Sequence, residues 1–464
     1  MPHYGRSDVQ TKKLPDSHPA MRDVEKPSLR YTLLFRLVRF YFYIFFKKIT
    51  LTGNNHIPAD TPVIFASNHQ NALMDALAML FTVNRPVVFL ARADIFKNER
   101  IARLLNFLKI LPVYRIRDGI ESMGNNSQTF DKTVQVLQSG TPIGILPEGS
   151  HTHIKRLQQL KKGICRIAFQ AAESSDFKLN IQLVPVGLDY TNYQNAGTHL
   201  LVNFGTPIPV SGYYDLYREN PQKAIALLRD DLADALKKVM IHVENELYYH
   251  TIQSLTGMLE TDYIRNRGLA DKRENRFSAS REIIRQIETA ASENRLDLSE
   301  VETGLESYKK ILDRHHLKDR LFQSPPSSAW SLAVSVLISV LLLPVHLYGF
   351  ITNYLPYKIP VVISAKMKDS QFISSVNFGL SFFLFPVWYF ILLFFLQIIP
   401  IPYYLDLLIL ISWPVTGLFT FYHYVYFRRL TGSIRLWWLK LRHPEQYNSL
   451  VELREKIAGK INLI

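Results

Sequence analysis

Three long apolar runs crowd the C-terminal part of this chain: Leu332–Ile351, Phe378–Ile399 and Leu405–Phe427. A helix that crosses a bilayer needs about 20 apolar residues, and each run reaches or approaches that length. Trp and Tyr gather at the run ends, where their half-polar rings suit the membrane–water interface. Buried core helices are the competing reading, but three such runs in close succession favour a membrane region. Pro344 falls inside the first run, where it removes a backbone donor and allows a turn. Lys358, Lys366 and Lys368 precede the second run, and Arg428, Arg429, Arg435, Lys440 and Arg442 follow the third. The connection at 399–404 carries no basic residue. The positive-inside rule then predicts a transmembrane hairpin over Phe378–Phe427 with both ends cytoplasmic. The first run becomes a re-entrant or interfacial element.

The remaining chain is long enough, within 464 residues, for further domains with their own core. Lys plus Arg number 54 against 40 Asp plus Glu, a net charge of +14, which points to an anionic partner. No nucleic-acid module is visible, so a membrane surface or an acidic metabolite is the expected partner, and nucleic acid is not. The one cysteine, Cys165, excludes an intramolecular disulfide; it reads as a small buried hydrophobe on a helix. The first twenty residues hold no apolar core, so no cleavable signal peptide is expected there. The catalytic part is expected on the cytoplasmic face of an inner or endoplasmic-reticulum membrane. Arg30, Arg36 and Arg39 interrupt the apolar stretch 28–49. Mid-segment arginines are costly in a span, so a basic amphipathic helix in the interface fits better; an ordinary packing helix is the alternative.

Between about Leu51 and Val210, short apolar runs alternate with helical stretches. Val63–Ser67, Val87–Ala91, Ile110–Val113, Pro142–Leu146, Ile181–Val186 and Leu200–Phe204 read as strands. Asn98–Lys109, Gln128–Ser139 and Lys162–Glu173 read as helices between them. The alternation predicts an α/β fold with a mixed sheet flanked by helices. Residues 213–327 carry almost no strand signal, and Ala224–Leu247 and Ser280–Asn294 read as amphipathic helices. The expected organisation is a polar tail and interfacial helix over 1–50, the α/β domain over 51–212 and a helical region over 213–327. A membrane region follows over 328–430, then a basic tail over 431–464.

Four runs carry chemistry. In Ala66-Ser67-Asn68-His69-Gln70-Asn71-Ala72-Leu73-Met74-Asp75 a strand ends near Ser67 and delivers His69 to the carboxyl edge of the sheet, where α/β proteins place their sites. Asp75 stands close enough in sequence to orient the imidazole, leaving its other nitrogen free to take a proton from an alcohol. Six residues on a helix amount to a rotation of about 240°, so the stretch between them must contain a turn. In Leu146-Pro147-Glu148-Gly149-Ser150-His151, Glu148 can accept from an acceptor hydroxyl and the Gly149 N–H can face an oxyanion. Arg115, after the strand Ile110–Val113, can grip a phosphate with its planar fork. Lys161 and Lys162 precede a helix, whose N-terminus favours anions. A metal site at His151 and His153 lacks a third ligand and is not expected. Leu183-Val184-Pro185-Val186-Gly187, at the end of a later strand, completes the set.

In this order the runs resemble the glycerolipid acyltransferases, the family of glycerol-3-phosphate and lysophosphatidate acyltransferases, over about residues 51–210. Asn68-His69 with Asp75, Val113-Tyr114-Arg115, Pro147-Glu148-Gly149 and Val184-Pro185-Val186 are similar to its four blocks. The resemblance implies His69 as base, Asp75 as its orienter, and Asn68, Arg115 and Glu148 around a phosphate-bearing acceptor. It implies an acyl-CoA or acyl-carrier-protein donor and no cofactor. Five residues separate His69 from Asp75 where four are usual, which looks like the fungal-type glycerol-3-phosphate/dihydroxyacetone-phosphate enzymes. Ser150-His151-Thr152 replaces the usual Thr-Arg-Ser, so the arginine's part falls to His151, Lys155 or Arg156, or is lost. A lysolipid acceptor, or a silent lipid-binding adaptor, are the alternatives.

Overall fold

The computed structural model describes residues 24–26, 28–83, 85–113, 123–323, 328–398, 400 and 402–461, the side chains of 123–128 excepted. Arg115 and almost all of the expected tail at 1–27 lie outside these residues.

Helix α1 (Leu29–Phe45) opens the described chain, capped by the Ser28 side chain. The strands are β1 (Lys48–Thr52), β2 (Val63–Ser67), β3 (Val88–Arg92), β4 (Ile110–Val113), β5 (Ile143–Ile145), β6 (Gln182–Tyr190), β7 (His199–Phe204) and β8 (Ile208–Pro209). Between them run α2 (Ala72–Thr82), α3 (Glu99–Phe107), α4 (Met123–Gln138) and α5 (Gly163–Glu173). The sheet order is β1-β7-β6-β2-β5-β3-β4, with β8 on β6. Strand β6 runs antiparallel to β7 and β8, and the other pairs are parallel. A mixed sheet covered by helices on both faces is the outcome, as the alternation predicted. The central strand β2 is buried along its whole length, which matches its unbroken apolar run, Val-Ile-Phe-Ala. One face packs Ile64, Ile143 and Leu183 against α5, and the other packs Phe65, Val184 and Val202 against α1 and α2.

Two elements differ from the expected boundaries. The chain leaves α1 at Phe45, and Lys48–Thr52 forms edge strand β1 beside β7, so the α/β domain starts before residue 51. Helix α1 also combines both sequence readings. Tyr31, Phe42 and Phe45 are buried in the domain core while Leu29, Leu33, Leu37 and Phe40 face outward.

Beyond the sheet come α6 (Tyr214–Glu219), α7 (Pro221–Val239), α8 (Tyr249–Asn266), α9 (Arg273–Ser292), α10 (Leu298–Arg314) and α11 (Arg320–Gln323). The apolar runs form α12 (Ala329–Leu341), α13 (Leu343–Ser364), α14 (Ile373–Leu396) and α15 (Tyr403–Arg442), and α16 (Pro444–Gly459) follows. Among the described residues, the helices Ser370–Leu396 and Tyr403–Arg442 are long and apolar enough to cross a membrane. The pair α12–α13 passes the same test jointly but bends by 51° at its break, next to Pro344. Of residues 431–464, expected as a tail, those up to Arg442 continue α15 and Pro444–Gly459 form α16. The end of α15 and all of α16 pack with α8, α9 and α10 around Leu436, Leu439, Leu450 and Ile457. Arg454 ties that core by ion pairs to Asp262 at 3.0 Å and Asp319 at 2.9 Å.

Candidate active site

Register places the site. Ala66 of β2 pairs with Ile145 of β5 in parallel, and His69 and Glu148 each lie three residues further on. Both therefore emerge side by side at the carboxyl edge of the sheet. The turn the spacing demands is present: Ala72, the first residue of α2, takes φ 43°, in the left-handed region. This break in the helical path brings Asp75, in the first turn of α2, back toward His69.

His69 Nδ1 stands 2.9 Å from Asp75 Oδ2. The same oxygen accepts the backbone N–H of Gln70 and of Asn71, each at 2.7 Å. The hydroxyl of Tyr190, at the end of β6, donates to Asp75 Oδ1 at 2.7 Å. Asp75 is completely buried, so its charge is balanced by these donors rather than by water. Burial and the Asp75 charge push the Tyr190 hydroxyl well above its ordinary range, which keeps it a neutral donor. His69 retains 13 % side-chain exposure, enough for its Nε2 side to meet a substrate.

Glu148 has a different part from the one expected. It is 2 % exposed, and its two oxygens accept the backbone N–H of His69 at 2.8 Å and of Gln158 at 3.0 Å. It staples the His69 loop to the loop after β5 instead of offering an open acceptor to a hydroxyl. Burial raises its carboxyl to about 8, against the two amide donors that lower it. Asn68 is likewise corrected. It is fully buried, and its amide spends both ends on Leu188, accepting from the backbone N–H at 2.7 Å and donating to the carbonyl at 3.0 Å. The Gly149 N–H donates to the Leu146 carbonyl at 3.1 Å, so it closes its own turn rather than facing an oxyanion. Gly149 is needed for its φ of 69°, which a side chain would strain.

Lys161 is exposed with its stem over Gly149, 3.5 Å from where a Cβ would stand; Lys162 is exposed at the start of α5. Of the three candidates for the missing arginine's part, two are committed elsewhere. Lys155 pairs with buried Asp189 at 2.9 Å, and Arg156 with Glu246 at 2.8 Å. Only His151 turns to the dyad, with its ring centroid 5.0 Å from that of His69. His153 faces away from it and stacks on Tyr193 at 4.8 Å. Tyr193 in turn donates to Gln70 at 3.0 Å. The sequence reading missed Tyr190 and Tyr193, because it ended β6 at Val186.

A buried carboxylate orienting a partly exposed imidazole, with no thiol or hydroxyl nucleophile bonded to that imidazole among the described residues, is an arrangement able to serve general-base chemistry without a covalent intermediate. A family model described as Acyltransferase matches residues 48–189. Over that stretch, about a third of its length, the chain is similar to the glycerolipid acyltransferases, enzymes that transfer acyl groups. It is 26% identical over 201 residues to a 1-acyl-sn-glycerol-3-phosphate acyltransferase of Borreliella burgdorferi, covering 42% of this chain and 74% of that protein. It is 27% identical over 129 residues to Glycerol-3-phosphate O-acyltransferase 2 of Saccharomyces cerevisiae, covering 28% of this chain but 17% of the yeast protein. Glycerol-3-phosphate O-acyltransferase 1 of the same yeast is 20% identical over 348 residues, 55% of this chain and 46% of that one. Among solved structures, the 1-acyl-sn-glycerophosphate acyltransferase PlsC of Thermotoga maritima aligns with a TM-score of 0.32 and 16% identity, over 47% of this chain and 82% of that one.

Proposed function

We propose that this enzyme is membrane-bound and acylates glycerol-3-phosphate or dihydroxyacetone phosphate in phospholipid synthesis, using acyl-CoA or acyl-carrier protein as donor. The single observation that carries the reading is the His69–Asp75 dyad at 2.9 Å, fixed at the sheet edge by Tyr190 and two backbone amides. His69 Nε2 takes the proton of the acceptor hydroxyl as the oxygen attacks the thioester carbonyl. Asp75 stabilises the imidazolium formed. When the tetrahedral intermediate collapses, the C–S bond breaks and the imidazolium returns the proton to the thiolate. The ester and a free thiol leave, and no other reactant is consumed. Arg115, Lys161 and Lys162 are assigned to the phosphates of the substrates.

The membrane reading rests on α14 and α15. Phe383, Phe390 and Phe394 are 66–73% exposed, a burden that water would not tolerate over a whole helix but lipid would. Ser364, at the end of α13, bonds Asn377 in the first turns of α14 at 2.8 Å. His346, at its start, lies 3.1 Å from His423 of α15. Its middle residue Asn353 meets Trp413 and Tyr389, further along the hairpin. Such a path supports an element that enters and leaves by one face.

A lysophosphatidate acceptor is the second reading, favoured by the name of the Borreliella relative. The purified enzyme with labelled acyl-CoA decides: product from glycerol-3-phosphate or dihydroxyacetone phosphate supports the first reading. Product from lysophosphatidate alone replaces it with the second.

A further inference from the structure

The connection between α13 and α14 lies outside the stretch matched to the family model, 48–189, yet it reaches His151, whose ring neighbours His69. Asp369 Oδ2 is 3.5 Å from His151 Nε2. The Phe372 ring stands edge-on to His151, with centroids 4.8 Å apart. His151 also meets His69 at a steep angle, centroids 5.0 Å apart. The imidazole is thus held between the proposed base and two residues that arrive from the apolar C-terminal region.

We propose that the α13–α14 connection is part of the active site, with Asp369 a positioning residue that seats His151 to take the acceptor's phosphate. The inference rests on the acyl-transfer reading above. His151 is the basic side chain left for this part once Lys155 and Arg156 are paired. A protonated imidazole bonded at Nε2 keeps Nδ1–H as a second donor, so Asp369 can fix the ring without occupying both nitrogens. The groups acting on His151 are His69 and Asp75 from the β2–α2 turn, His153 from its own loop and Asp369. Burial and His69 lower the pKa of His151, and Asp369 and Asp75 oppose them without reversing the net fall, so the approach of the acceptor's phosphate dianion is what completes protonation of the ring.

Asp369→Asn tests this with the fold preserved, because Asp369 also caps the next turn by accepting the Gln371 N–H at 3.0 Å, and Asn caps equally well. Loss of a charge-assisted contact should raise the acceptor's KM roughly tenfold. The thioester's KM and kcat should stay within about twofold, and Asp369→Glu should restore most of the loss. A second readout needs no turnover: carbethoxylation of His151 by diethyl pyrocarbonate, followed by peptide mass spectrometry, should be faster in Asp369→Asn. An unchanged acceptor KM, or equal losses for both substrates, overturns the assignment, as does unchanged His151 reactivity. If the wild type transfers no acyl group to any acceptor, the enzyme reading fails, and the reactivity of His151 still decides whether Asp369 holds it.

Discussion

Asp75 accepts from His69, Gln70, Asn71 and Tyr190 while completely buried, so it organises the loop as well as the base. Asp75→Asn sets an amide donor against these donors and leaves at least one of them unsatisfied. We expect about 2–4 kcal/mol of lost stability and a large fall in kcat, read by thermal unfolding and turnover. Glu148 gives a pH signature. Its native carboxyl is raised to about 8 from an ordinary 4.5, so the native state holds the proton more tightly than the unfolded chain. Stability from this group is present below the unfolded value and is lost as pH rises toward 8. Melting temperatures of wild type and Glu148→Gln, compared from pH 5 to 9, should show that decline in the wild type and a shallower one in the variant. Parallel curves would refute it. The strand end and the six-residue spacing brought His69 and Asp75 to notice, but spacing alone is a weak signal, and the pairing was expected because the four runs occur in order. Burial is not a sequence fact, and Asn68 and Glu148 therefore read as substrate ligands when their polar atoms are spent on backbone. Asp369 was invisible as a site residue, because it lies 218 positions beyond His151 in the chain.

At the scale of elements, strands whose apolar runs stood alone were legible nearly to the residue, β2 and β4 among them. Strand β1 was hidden by Lys47 and Lys48 at its entrance, and α2 by the unusual turn at Ala72. Helix α8, with its Thr, Tyr and Gly, has weak propensity and is held by buried Ile252, Leu255 and Leu259. Helix α13 continues through Pro356 and Pro360, which sequence rules would end. It packs closely on α15, since a Cβ at Gly349 would collide with the Thr416 carbonyl and the Thr420 hydroxyl. Gly349→Leu should force these helices apart and lower the melting temperature in detergent by several degrees. A variant as stable as wild type would show that the approach is not tight.

Across the whole molecule, α15 has 40 residues, about 60 Å of helix, roughly twice a hydrocarbon core. Its end is buried in the helical region, while α14 starts beside the dyad. Both ends of the proposed hairpin thus meet the soluble part. In a Cys165→Ser background, a cysteine at Pro402 should react with a membrane-impermeant reagent from the face opposite the catalytic domain, and cysteines at Lys358 and Arg435 should not. Far-side labelling at 358 would restore a full first span. The most direct test of the account remains acyl transfer itself, with purified, bilayer-embedded wild type and His69→Ala given labelled acyl-CoA and glycerol-3-phosphate. A positioned base contributes about 10²-fold or more, so the account predicts labelled ester from the wild type and at least that loss in the variant, with its melting temperature little changed. A His69→Ala enzyme that turns over at nearly the wild-type rate would contradict it.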